Sequence, residues 1–218
     1  MITNVFFDFD GVVIDSEPIH AKTKAMALDA FGIAYPENVF EGFRGVPEVD
    51  FFIYVRKNLD AERFPLETLI KKRQEILAEI LPEMSLIAGF TNFMEWVKSK
   101  KIRTALVTSA THREVQNIDK HLNIIRLFDK VIPADATGRH KPFPDPYLKA
   151  LEVMEADKEQ TIIIEDSTNG VLSGKRAGCT VYALTTTFSR KELACSGADM
   201  IFESYEELKE FVCTVLND

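Results

Sequence analysis

The sequence predicts an α/β protein, a doubly wound parallel sheet with a small α-helical domain inserted after the first strand. Three observations predict it. Short β-branched or aromatic runs recur along the chain. From about residue 90 onward they alternate with helix-like stretches, the signature of a parallel sheet covered by helices. The runs are near-continuously apolar, as strands buried on both faces are.

The first strand is expected at 4–7 and runs into Asp8-Phe9-Asp10-Gly11. The alternation then stops. Ser16-Glu17-Pro18 opens a helix that halts at Gly32, with proline in its first turn. A second helix follows Pro47 and a third spans 65–81. No buried strand is legible there, so 15–82 reads as a helical insert, with 1–14 and 83–218 forming the core. Further strands are expected at 104–107, 130–132, 161–164, 180–183 and 200–202. The helices between and after them are expected at 91–100, 112–121, 146–154, 167–177 and 205–216. Gly178 stands where a helix-ending glycine belongs.

Composition narrows the function. A chain of 218 residues, 46% of them hydrophobic, supports one large domain or a core with an appendage, and excludes wholesale disorder. With 26 Lys and Arg against 34 Asp and Glu, the net charge is −8. That balance argues against a nucleic-acid partner but permits a local cationic pocket for a small anion. No run approaches the roughly 20 apolar residues of a membrane span, and no secretory signal is visible. Three cysteines late in the chain, Cys179, Cys195 and Cys213, form neither a disulfide framework nor a zinc pattern. A reduced cytoplasmic protein is expected. A monomer is compatible with the sequence.

Ligands of open parallel sheets sit beyond the carboxyl ends of the strands. Those ends carry Asp8 and Asp10, then Thr108-Ser109, then Glu165-Asp166-Ser167, with Lys141 in the loop before the last of these strands. Asp8, Glu165 and Asp166 offer hard oxygens suited to Mg²⁺. A carboxylate can also attack phosphorus, and a second one, Asp10, can serve as general acid and then base. Thr108 can donate to a phosphoryl oxygen, and Lys141 can offset the negative charge. Each piece has a plainer reading: Asp8 to Gly11 as a turn, Thr108-Ser109 as a helix cap, Lys141 as a solvated loop lysine, and Glu165 to Ser167 as a helix start. Their joint occurrence at strand ends favours the chemical reading.

The motifs Phe7-Asp8-Phe9-Asp10-Gly11-Val12-Val13, Val107-Thr108-Ser109, Lys141-Pro142-Phe143-Pro144-Asp145-Pro146 and Ile164-Glu165-Asp166-Ser167 with Gly170 resemble the haloacid dehalogenase superfamily. The branch is that of β-phosphoglucomutases and phosphoglycolate-type phosphatases. The resemblance implies a Rossmann-like core with an α-helical cap over the site and a Mg²⁺ cofactor. It also implies Asp8 as the nucleophile that becomes an aspartyl-phosphate, and Asp10 as acid/base with its carbonyl on the metal. Thr108, Ser109 and Lys141 would hold the phosphate. Asp166, with Glu165 beside it, would complete the metal site. The expected partner is a small phosphorylated metabolite, with neither nucleic acid nor membrane.

Phosphatase is the expected reaction. Where the mutases of the branch carry a phosphate-binding arginine, this chain has Glu48 after Gly45-Val46-Pro47, and their Ser-Lys-Asn run is replaced by Ala110-Thr111-His112. Mutase, inorganic pyrophosphatase, dehalogenase and a non-catalytic binding protein are the alternatives. Asp10 opposes dehalogenation, because haloacid dehalogenases lack the second aspartate. The cap candidates for substrate contact are His20, Glu41, Arg44 and Lys72, with Lys71-Lys72-Arg73 reading otherwise as a solvated helix face.

Overall fold

A computed structural model describes residues 2–44, 46 and 48–217, the last three by backbone alone. Six strands form one parallel sheet: β1 (Asn4–Phe7), β4 (Arg103–Val107), β5 (Lys130–Ile132), β6 (Thr161–Glu165), β7 (Thr180–Leu184) and β8 (Met200–Phe202). Their spatial order is β5-β4-β1-β6-β7-β8. The chain thus winds outward from β1 to one edge, returns beside β1, and winds to the other edge. The reversal between β1 and β6 is the position at which doubly wound folds bind their ligands.

Helices α4 (Phe90–Ser99), α5 (His112–Leu122), α6 (Asp145–Met154), α7 (Thr168–Arg176), α8 (Arg190–Cys195) and α9 (Tyr205–Asn217) connect and follow these strands. The six-residue α8 is not legible from periodicity; a capping box of Ser189 and Glu192 starts it. Phe7, fully buried on β1, meets the rings of Phe90, Phe93 and Phe128 edge-on at 6.0, 6.1 and 5.7 Å. Phe6 belongs to the other core cluster, with Tyr147, Ile163 and Val181, since adjacent strand residues point to opposite faces.

The chain divides into two compact units, Met1–Asp15 with Ser85–Asp218, and Ser16–Met84. Where it leaves and rejoins the sheet unit, β2 (Ile14–Asp15) pairs antiparallel with β3 (Ser85–Leu86), a two-stranded ribbon too short to show as a sequence pattern. The second unit holds α1 (Glu17–Ala30), α2 (Glu48–Asn58) and α3 (Leu66–Ile80). They close on Leu28, Phe51, Phe52, Val55 and Leu69. Among the described residues no helix is long and apolar enough to cross a membrane.

Removing the Phe7 ring should open a cavity at the centre of one core face. Phe7→Ala is expected to lose about 3–5 kcal/mol, read from the midpoint of a urea denaturation curve.

Candidate active site

In the register of β1 and β6, Phe7 lies opposite Ile164. The residue after each is a carboxylate, Asp8 just past the end of β1 and Glu165 as the last residue of β6. The Asp8 amide still donates to the Ile164 carbonyl at 3.0 Å, so sheet pairing continues up to the first acidic group. Lys141 reaches both from the loop between β5 and α6. Its ammonium donates to Asp8 Oδ1 at 2.5 Å, to Glu165 Oε1 at 2.7 Å and to the Val107 carbonyl at 3.0 Å. The ends of β1, β4 and β6 thus converge on one nitrogen, whose side chain is only 5% exposed. Helix α7 secures the lysine's loop: Ser173 Oγ donates to the Phe143 carbonyl and Arg176 to the Pro142 carbonyl, each at 2.6 Å.

Glycines admit the carboxylates. A Cβ on Gly11 would lie 1.8 Å from Asp166 Oδ2, and its φ of +71° is costly for other residues. A Cβ on Gly170 would lie 1.9 Å from the Glu165 carboxyl group. Ser167 caps α7 by accepting from the Gly170 amide, so the helix-start reading holds for Ser167, while Glu165 remains in the strand. Asp166 accepts a hydrogen bond from Thr187, and the neighbouring Thr186 hydroxyl donates to the Gly11 carbonyl at 2.6 Å. Neither threonine stands out in the sequence.

Thr108 follows β4 and is buried. The cap of α5 is Thr111, in a capping box with Glu114, so Thr108 is not the helix cap. Its oxygen accepts from the Ala110 amide at 2.9 Å, and its own hydrogen remains for another acceptor. Ser109 beside it is exposed, and Asp10 is half-buried in the turn after Asp8.

Oxygens of Asp8, Glu165 and Asp166 lie within 4.8 Å of one another, all three residues buried. Burial and the neighbouring Glu165 charge push the Asp8 carboxyl up to about 7, against the pull of Lys141. Asp166 is pushed well up by burial and by Asp8 and Glu165. Burial alone would depress Lys141, but Asp8 and Glu165 hold it above its ordinary value. The cluster therefore carries more negative charge than its one lysine offsets, and a divalent cation is the natural complement.

The cap candidates all fall in the Ser16–Met84 unit. Glu41 and Arg44 are exposed, and half-buried Lys72 pairs loosely with Glu75 at 3.9 Å. His20 is half-buried on α1, where Nδ1 lies 2.6 Å from Arg73 Nη2. Gly45 and Pro47 lie outside the described residues. The reading of 71–73 as a solvated face is corrected at Arg73, which is buried. It donates to Thr23 Oγ1 at 3.1 Å and lies 3.2 Å from Glu48 Oε1. The spacing of Leu69, Arg73, Ile76 and Ile80, all buried on α3, is the helical signal that could have found it.

Comparison with known proteins converges on one family. The haloacid dehalogenase-like hydrolase profile matches residues 5–184. A phosphorylated carbohydrates phosphatase of Thermotoga maritima is 32% identical over 80% of this chain and 81% of its own length. A phosphoglycolate phosphatase of Aquifex aeolicus is 27% identical over 80% of each. A crystal structure from Thermotoga maritima, of a protein provisionally named β-phosphoglucomutase, superposes with a TM-score of 0.87. It is 29% identical, and the match covers 99% of this chain and 100% of that one.

Two measurements test the geometry. Gly170→Ala should cost about 1–3 kcal/mol by overpacking Glu165. Gly138→Ala, where an added Cβ meets nothing within 4 Å, should stay within about 0.5 kcal/mol. Thermal denaturation of both variants checks this. The raised Asp8 pKa also has a sign. The folded, metal-free protein holds a proton that the unfolded chain releases near 3.8. That contribution to stability is full below the unfolded value and is lost as pH rises through about 7. Denaturation in chelator across this range should show stability falling in the wild type and falling less in Asp8→Asn.

Proposed function

Because the chain belongs to the haloacid dehalogenase-like hydrolase family, we propose that it is a Mg²⁺-dependent phosphatase. Its substrate is a small phosphomonoester, a sugar phosphate or a similar metabolite, and the intermediate is an aspartyl-phosphate on Asp8. The observation that carries the reading is the contact of Asp8 with Lys141 at 2.5 Å, beside the buried carboxylates Glu165 and Asp166. A nucleophilic carboxylate needs such a cation to approach an anionic phosphate. The names of the Thermotoga and Aquifex relatives, both phosphatases of small phosphorylated molecules, support the substrate class.

The donor set suits a hard divalent cation: oxygens only, buried, and in excess of the local positive charge. Asp8, Asp166 and the Asp10 carbonyl would hold it, with Glu165 adjacent. When bound, Mg²⁺ offsets charge on the phosphoryl oxygens. The chain's own groups do the rest. Asp8 attacks phosphorus while the Thr108 hydroxyl, with Ser109 beside it, holds the phosphoryl oxygens and the positive charge of Lys141 attracts them. Asp10 gives a proton to the departing alkoxide. It then takes one from the water that attacks the aspartyl-phosphate, releasing inorganic phosphate and restoring Asp8.

Mutase is the second reading, favoured by the likeness to the provisionally named β-phosphoglucomutase. A mutase must hold a second phosphate. Of the two buried cations described in the helical unit, Arg73 is instead engaged with Glu48, Thr23 and His20, and Lys24 with the Phe43 carbonyl and the Phe51 ring, which supports hydrolysis. Pyrophosphate hydrolysis would use the same core groups. The three free cysteines suit the reducing cytoplasm.

Phosphate release should be measured across sugar phosphates, phosphoglycolate and pyrophosphate, beside a glucose 1-phosphate isomerisation assay primed with bisphosphate. Chelation of Mg²⁺ should abolish turnover, and Asp8→Asn should lower kcat by about a thousandfold or more, as loss of a covalent nucleophile does. Equal activity in wild type and variant would defeat the proposal. Rapid isomerisation with little free phosphate would establish the mutase instead.

A further inference from the structure

We infer that Glu165 is a positioning residue for Lys141 rather than a ligand of the cation, and that Tyr147 completes the device that holds the ammonium against Asp8. A carboxylate has about four lone-pair sites, and Glu165 is supplied with five donors. Oε1 accepts from Lys141 Nζ and from Tyr147 Oη, each at 2.7 Å. Oε2 accepts from the Asp166 amide at 3.1 Å, the Ser167 amide at 3.4 Å and Ser167 Oγ at 3.1 Å. The residue is fully buried, and Gly170 closes over its carboxyl group. Little acceptor capacity is left for a metal. Asp8 accepts from Lys141 through Oδ1, and Asp166 accepts from Thr187; both keep lone pairs that a cation can take.

Tyr147 acts on both members of the pair. Its hydroxyl binds the same Glu165 oxygen as Lys141, and its ring lies 4.8 Å from the ammonium, within cation–π range. Three acceptors, Asp8, Glu165 and the Val107 carbonyl, match the three ammonium hydrogens. The nitrogen is thus fixed before any substrate arrives. Burial and the Glu165 charge keep the Tyr147 hydroxyl protonated, so it serves as a donor. A glutamine at 165 cannot replace the carboxylate, because its amide hydrogens would face donors on one side or the other.

The inference rests on the phosphatase reading only where turnover is measured. Two arms need no substrate. Mn²⁺, followed by electron paramagnetic resonance on the whole protein, is the metal probe. Glu165→Gln should bind it within about threefold of wild type, and Asp166→Asn should weaken it at least about thirtyfold. In ¹⁵N spectra the Lys141 ammonium, identified by its loss in Lys141→Met, should give a slowly exchanging signal. That signal should broaden in Tyr147→Phe while the thermal midpoint confirms a folded protein. With the best substrate, kcat should fall about tenfold in Tyr147→Phe and about a hundredfold in Glu165→Gln, with KM within about twofold. Mn²⁺ binding weakened as strongly by Glu165→Gln as by Asp166→Asn would overturn the metal assignment. An unchanged ammonium signal in Tyr147→Phe would overturn the role of the tyrosine. If no phosphate ester is hydrolysed, the phosphatase reading fails, and these two arms still decide the inference.

Discussion

One buried ammonium held between two buried carboxylates is the contact on which the site depends. Taking Lys141, Asp8 and Glu165 out of water is costly, and their attraction repays that cost only with close geometry and further hydrogen bonds. Both conditions are met: the lysine's donors are all used, and Glu165 is saturated. Truncating one partner of such a pair typically costs about 3–5 kcal/mol, because the other is left buried and unpaired. The apparatus around the pair follows from this. Gly11 and Gly170 make room, Ser173 and Arg176 fix the loop that delivers the lysine, and Thr187 supports Asp166.

The fold explains why these groups meet although they lie far apart in sequence. Asp8 and Lys141 are separated by 133 residues. A doubly wound sheet brings the first and fourth strands of its winding order side by side, and β1 and β6 are that pair. Parallel strands have all their carboxyl ends on one edge, so residues that follow strands collect there. The strands themselves supply little chemistry. Val5, Phe6, Phe7, Ile162, Ile163 and Ile164 are buried, and their packing fixes the register that sets Asp8 beside Glu165.

Much of this was legible because it is local or periodic. The strand runs are short and apolar, and the acidic motifs stand directly at their ends. What the sequence hid are contacts that require two distant pieces at once. Tyr147 looks like an ordinary helix residue until Lys141 and Glu165 are placed around it. Thr186 and Thr187 sit in a run of three threonines with no visible reason for any one of them. Arg73 was masked by its neighbours, since Lys71-Lys72-Arg73 reads as a charged surface while the helical repeat turns only the arginine inward. The β2–β3 ribbon has two residues per strand, too few for an alternation to register.

Charge balance separates two buried polar clusters among the described residues into different kinds. In the helical unit, Arg73 and the buried Lys24 are set against Glu48 and Glu17. Lys24 is pushed down by burial and by Arg73, and drawn up by the two glutamates. Two cations face two anions, and Lys24 also leans on the Phe51 ring and the Phe43 carbonyl. Such a cluster is complete as it stands and fixes α1, α2 and α3 to one another. The sheet-end cluster sets Asp8, Glu165 and Asp166 against Lys141, and burial together with that excess of negative charge raises the Asp8 and Asp166 carboxyls. A cluster in this state gains by taking in a cation or by giving up charge to a bond with phosphorus, and the proposed reaction does both. The imbalance, added to burial, is what distinguishes the end of β1 as the proposed site of reaction among the described residues.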